Sequence, residues 1–193
     1  MFELSLHILD LVQNSITAGA TLVTITIEID RINSTMRIVI EDDGCGMDKA
    51  LLARVVSPFA TTRTTRKVGL GIPMLKQLCE QCAGHFLLDS APGEGTRLQA
   101  QLDCKSIDLP PLGDLAGTMQ TLVLGAPVTP DFVLTYTVDG SSFFLDTREI
   151  RTMLEGVALS EPDVIGWIGD YVKEGMAEAA LSPSHPDNNN LEV

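Results

Sequence analysis

The sequence predicts a domain of mixed α and β structure in which helices pack on a sheet. Three observations predict it. The chain opens on an amphipathic helical pattern, two β-branched runs follow as neighbouring strands, and the rest continues to switch between helical and strand periodicity. A length of 193 residues suffices for one compact domain, or for one domain with a modest appendage, and 45% hydrophobic and 20% charged residues exclude wholesale disorder.

Taken in order, residues 3–19 place Leu4, Leu6, Ile8, Leu9, Leu11, Val12 and Ile16 at helical spacing, and Gly19 ends the helix. Leu22 to Ile29, LVTITIE with its flanks, alternates β-branched residues with Thr and Glu and reads as a strand. Asp30–Ser34 turns the chain, and Met36–Glu41 is a second strand, antiparallel to the first. The Gly-rich loop DDGCGM follows, then a short helix over Asp48–Val56 with Asp48 as its cap. Residues 57–71 are irregular and rich in Thr, Arg and Gly. A helix from Ile72 to about Cys82 carries Pro73 in its first turn, where proline is tolerated. HFLLDS and TRLQAQLD form a strand pair about the turn APGEG.

Composition shifts at Asp108, and LPPLGD reads as a linker into a small α+β extension over residues 107–181. There Leu115–Leu124 is helical, and Phe132–Val138 and Ser142–Asp146 flank Asp139-Gly140, a strong hairpin signal. Thr147–Leu154 is a short helix capped by Thr147 or Asp146, and Pro162–Ala180 a longer one with Val164, Ile165, Ile168, Val172 and Met176 on one side. Residues 182–193, polar and rich in Pro and Asn, form a disordered tail.

Charge narrows the function. The formal net charge is −13, split as −3 over residues 1–104 and −10 over residues 105–193. So acidic a chain is a poor general binder of nucleic acid or of anionic membrane. No segment reaches the ~20 apolar residues of a membrane span. MFELSLHILD lacks the basic region of a secretory signal, so the expected address is the cytoplasm. Five of the 13 basic residues, Arg54, Arg63, Arg66, Lys67 and Lys76, cluster between positions 54 and 76, an island suited to a small anionic ligand. Cys79 and Cys82 have redox or metal spacing but share one face of the predicted third helix, where a pair of small core side chains is expected.

Four segments carry chemistry. In the first helix Asp10 and Asn14 are four apart and share a face. The Asn14 amide oxygen suits Mg²⁺, and a carboxylate one turn earlier can take a proton from water or a hydroxyl. In Asp42-Asp43-Gly44-Cys45-Gly46-Met47 the glycines let backbone approach a flat ligand, and a carboxylate can accept a hydrogen bond from an exocyclic amine. Residues 57–72, SPFATTRTTRKVGLGI, join hydroxyls, three cations and a Gly-Leu-Gly before a helix, a phosphate-binding combination. Gly93-Glu94-Gly95-Thr96 opens the last strand of the first half.

In this order and spacing the four segments resemble the N, G1, F/G2 and G3 boxes of the GHKL ATPase superfamily, over about residues 3–104. The resemblance implies the Bergerat fold, an α/β sandwich whose mixed sheet is backed by helices and whose nucleotide lies under a lid. It implies ATP and Mg²⁺ as ligands, Asn14 as the metal ligand, and Asp42 as acceptor of the adenine amine with Thr96 nearby through water. Gly44, Gly46, Gly69 and Gly71 would be close-approach positions, with Met47 and Leu70 beside them. Thr62, Arg63, Arg66 and Lys67 would be lid residues near the phosphates. Asp10 matches the general-base position, where hydrolysing and serine-phosphorylating members carry the longer Glu. LVQNSITAGATLVTITIE resembles the mismatch-repair type, and PFATTR with VGLGIPMLKQLCE resembles histidine kinases. None of His7, His85 and His185 stands where those kinases carry a phosphoacceptor, so His7 reads as a helix-face residue. The implied function is a signalling kinase acting on a partner protein in trans. The alternative is an ATP-hydrolysing switch that regulates partner binding, and a fold that no longer turns over is a third reading. A homodimer is compatible with either active form.

Overall fold

The computed structural model describes residues 3–56, 70–126 and 128–181. Its centre is the first predicted strand, β1 (Leu22–Asp30). Val23, Ile25 and Ile27 are fully buried on one face, while Thr24, Thr26 and Glu28 lie on the other. β2 (Thr35–Asp42) pairs with it antiparallel, as expected, setting Ile25 opposite Ile40 and Ile27 opposite Ile38. β4 (Gly95–Asp103) adds antiparallel to β2, and β3 (His85–Ala91) to β4.

The other edge of β1 is filled from the C-terminal segment. β5 (Asp131–Val138) runs parallel to β1, from Leu22 opposite Asp131 to Ile29 opposite Val138, and β6 (Ser141–Asp146) completes the order β3-β4-β2-β1-β5-β6. The segment read as an extension therefore builds a third of one mixed sheet. Asp139 and Gly140 join β5 to β6 with φ of 47° and 88°, the left-handed pair that a two-residue hairpin turn requires.

Among the described residues, the main helices pack on the face that carries Val23, Ile25 and Ile27. α1 (Leu4–Thr17), α3 (Gly71–Gln81), α4 (Leu115–Gly125) and α6 (Pro162–Leu181) share a single core with the strands, giving the two-layer α/β sandwich. The opposite face carries the cross-strand ion pairs Arg37–Glu28 and Arg97–Glu41. α2 (Lys49–Val55) is capped by Asp48, whose Oδ1 accepts from the Leu51 N–H at 2.7 Å. In α5 (Thr147–Met153) the cap is Asp146, accepting from the Arg148 N–H at 2.9 Å.

The stretch read as a linker has a structural task. The Leu4 and Ser5 N–H groups at the start of α1 donate to the carbonyls of Pro111 and Leu112 at 3.0 and 2.8 Å. α1 also packs against α4, and this changes its buried face: Ser5 and His7 are buried, while Leu6 is 42% exposed. Cys79 and Cys82 are fully buried, and burial pushes the Cys79 thiol up to about 12, so it stays protonated and inert. Among the described residues no helix is long and apolar enough to cross a membrane. The expected tail, residues 182–193, lies outside the described residues.

Candidate functional site

A cavity of about 660 Å³ opens between α1, α2, the start of α3 and the ends of β2 and β4. That volume lies within the range of small-molecule sites, roughly 300–1,000 Å³. Ile40, Leu51, Ile72 and Leu98 give it apolar walls, and Asn14, Ser15, Asp42 and Thr96 supply its polar groups.

Asp42, the last residue of β2, is held at both oxygens. The Ser15 hydroxyl donates to Oδ2 at 2.6 Å, and the Gly44 N–H donates to Oδ1 at 3.0 Å. Ser15 is only 4% exposed, so its hydroxyl has little access to water as a substitute partner. The neighbouring Asp43 turns away. It accepts from the Thr21 hydroxyl at 2.5 Å and from the Thr21 and Leu22 N–H groups at 2.7 and 2.9 Å, tying the loop to the start of β1. Burial pushes its carboxyl upward, and these hydrogen bonds outweigh burial and hold it below the ordinary carboxylate value.

The loop after Asp42 is clamped on two sides. The Cys45 N–H donates to the Ala18 carbonyl at 3.0 Å, and the Cys45 carbonyl accepts from the Gly93 N–H at 2.9 Å. The Met47 N–H donates to Ser90 Oγ at 2.8 Å; that hydroxyl donates in turn to the Gly95 carbonyl at 2.7 Å and lies 3.2 Å from Thr96 Oγ1. Gly46 has φ of 64°, and a Cβ there would lie 1.9 Å from the Ala91 carbonyl oxygen. Here glycine is required by the contact between the loop and the end of β3.

Of the residues singled out in the sequence, Asn14, Asp42, Gly46, Met47 and Thr96 converge on the cavity. Gly44 sits behind Asp42 as a donor. Asp10 lies one turn before Asn14, beside the cavity wall. Its carboxylate packs on the first residue of α3, where a Cβ added at Gly71 would fall 2.2 Å from Asp10 Oδ2. Leu70 precedes α3 and is largely exposed. Thr62, Arg63, Arg66, Lys67 and Gly69 lie outside the described residues. Two residues escaped the sequence reading: Ser15 and Ser90. Ser15 had one signal, its place next to Asn14 on the same helix. Ser90 had none, because its contacts with Met47 and Gly95 form only when the loop closes on the β3–β4 turn.

The family model described as histidine kinase-, DNA gyrase B-, and HSP90-like ATPase matches residues 3–106. The sensor protein kinase FleS of Pseudomonas aeruginosa is 35% identical over 89 residues, covering 46% of this chain and 22% of FleS. The sensor protein DegM of a Bacillus species is 30% identical over 95 residues, covering 49% of this chain and 25% of DegM. Each match thus spans a quarter or less of the relative's own length. Among solved structures, the N-terminal domain of a DNA repair protein superposes with a TM-score of 0.50 at 16% identity, covering 76% of this chain and 53% of that one. That likeness concerns the fold, and its coverage exceeds the segment matched by the family model.

Proposed function

Because the chain belongs to the histidine kinase-, DNA gyrase B- and HSP90-like ATPase family, we propose that its cavity binds Mg-ATP and that the protein is a signalling kinase acting on a partner protein in trans. The observation that carries the reading is the Asp42 carboxylate, fixed by Ser15 and Gly44 at the edge of an apolar cavity. A flat aromatic base fills such walls, and a carboxylate at their edge selects a base that presents an amine. Thr96, hydrogen-bonded into the Ser90 clamp, supports the same base pocket.

The donor set fits magnesium. The Asn14 side chain offers one hard oxygen in the cavity wall, and Mg²⁺ takes few protein ligands when phosphates and waters complete its shell. When bound, the ion would offset phosphate charge near α1. Asp10, one turn away, holds a carboxylate toward the start of α3 and would accept the proton of the attacking hydroxyl or water. Its side chain is one methylene shorter than the Glu usual at that position, so the acceptor group must come closer to α1. Arg63, Arg66 and Lys67 would meet the phosphates.

The names of the curated relatives, a sensor protein kinase in FleS and a sensor protein in DegM, support the kinase reading over hydrolysis alone. Incubation of the full chain with γ-labelled ATP tests it. Label on a protein partner supports the kinase; free phosphate without labelled protein replaces it with the hydrolysing switch. A thermal melt unmoved by saturating Mg-ATP would overturn nucleotide binding itself, since a ligand at a hundredfold excess over its Kd adds roughly 2.7 kcal/mol.

A further inference from the structure

On α6 an aromatic pair stands exposed. The rings of Trp167 and Tyr171, one helical turn apart, stack with centroids 5.0 Å apart and planes 9° from parallel, although the two residues are 48% and 40% exposed. Tyr171 is fixed from beneath. Phe143 meets it edge-on at 5.1 Å and 64°, and Phe143 itself lies over Gly175, where a Cβ would fall 1.9 Å from its ring. The Tyr171 hydroxyl also reaches the Phe144 carbonyl of the outer strand β6 at 3.5 Å. The pair is therefore a pre-formed platform, since its rotamers are set before anything binds.

Its surroundings are acidic. Asp163 lies one turn before Trp167, Asp170 three residues after it, and Glu174 three residues after Tyr171, and all three are exposed. Lys173, the single cation of the helix, falls ~200° around the axis from Tyr171. Stacked aromatic faces ringed by carboxylates attract cations on two counts, through the ring quadrupole and through charge. The net charge of −10 over residues 105–193 opposes a second copy of the same face.

We propose that the Trp167–Tyr171 face of α6 docks a basic protein segment, one whose Arg or Lys side chains alternate with apolar residues. A guanidinium or ammonium group lies over the outer face of Trp167 and its neighbours pair with Asp170 and Glu174, while the apolar residues cover the ring edges. The face sits beside β6, which β5 and β1 separate from β2 and its Asp42, so its occupant leaves the nucleotide cavity open. Docking there is independent of the nucleotide reading.

The test uses the full chain without nucleotide and a synthetic peptide of alternating arginine and leucine, with a glutamate–leucine peptide as its counterpart. Trp167 is the only tryptophan, so its emission reports on this face alone. The expected result is a saturable emission change with the arginine peptide and none with the glutamate peptide. Asp170→Asn with Glu174→Gln weakens binding by about tenfold, and Trp167→Leu, followed by calorimetry, does likewise. Asp108→Asn with Glu80→Gln, which removes the same charge elsewhere on the surface, leaves affinity within about twofold. Equal binding of the two peptides, or equal loss in the two charge variants, overturns the proposal in favour of diffuse attraction. So does an emission change that follows protein concentration alone and coincides with a dimer in sedimentation, which would make the face a contact between copies.

Discussion

Asp42→Asn is the sharpest perturbation of the proposed base pocket, because it keeps shape and removes charge. In the native site each carboxylate oxygen has its own donor, Ser15 Oγ at 2.6 Å and the Gly44 N–H at 3.0 Å. An amide cannot serve both in the same way. The Gly44 N–H can only donate, so the amide oxygen must face it; the amide NH₂ then faces Ser15, whose hydroxyl reverses to accept. The side chain stays in place, and stability changes by about 1 kcal/mol or less. What is lost is the charged acceptor for an exocyclic amine, a bond worth ~1.5–3 kcal/mol, so ATP binding weakens by roughly 10- to 150-fold. GTP presents a carbonyl where ATP presents its amine, and an amide can donate to it, so GTP loses less or gains. Ser15→Ala leaves the charge and removes one of its two anchors, giving a smaller loss for ATP and no gain for GTP. Calorimetry of both nucleotides on folded variants, checked by their melting temperatures, reads the ratio. If ATP and GTP weaken in parallel, or neither changes, Asp42 does not contact the base and the pocket has been misassigned.

Three further outcomes follow from the same geometry. Asp10→Asn lowers hydrolysis or transfer by ~10²–10⁴-fold in single-turnover assays with ATP affinity nearly intact, whereas Asn14→Ala weakens the Mg²⁺-dependent part of that affinity, read by calorimetry with and without chelator. Gly46→Ala costs about 1–3 kcal/mol of stability, because the residue has φ of 64° and its new methyl would meet the Ala91 carbonyl; a denaturant melt measures it. His7 is 4% exposed, and burial lowers its pKa from 6.5 while the nearby Asp10 carboxylate opposes the shift. Its contribution to stability is therefore complete above about pH 6.5 and is lost as pH falls through the lowered value, since the unfolded chain protonates first; His7→Leu should flatten that part of a stability–pH curve.

What could be read from the sequence was what neighbouring residues decide together. β1 and β2 fell within a residue or two of their predicted ends because alternation is a local signal, and Asp139-Gly140 made its turn because few other pairs accept two left-handed residues in succession. Asn14, Asp42 and Thr96 could be assembled because their order and spacing resemble a family. The parallel pairing of β1 with β5 was hidden, since it joins residues more than 100 apart and leaves no mark on either strand's periodicity. His7 read as a helix-face residue because the second flank of α1 exists only once α4 packs there; among the described residues its buried Nδ1 has no hydrogen-bond partner. The glycines of the loop were recognised, but the contact that requires Gly46 is with Ala91 of β3. Tertiary contacts settled each of these points.

That same long-range packing gives the C-terminal segment a part in the site. α1 is the rail on which Asp10, Asn14 and Ser15 are mounted, and their positions depend on how α1 is seated. Its first N–H groups are satisfied by Pro111 and Leu112, and its outer flank is packed by α4. β1 sets the height of β2 and hence of Asp42, and its second edge is closed by β5. A chain ending at residue 106 would contain every residue assigned to the nucleotide, yet lose all of these supports. Phe132, Leu134, Leu115, Met119 and Leu122 would leave the core, each removing roughly 1.5–3 kcal/mol of burial, a sum comparable with the whole stability of an ordinary domain. The matched family segment holds the residues of the proposed site, whereas hydrogen bonds and packing that hold it in register come from residues beyond it. A truncated chain that folds and binds ATP with unchanged affinity would show that α1 and β1 are seated without them.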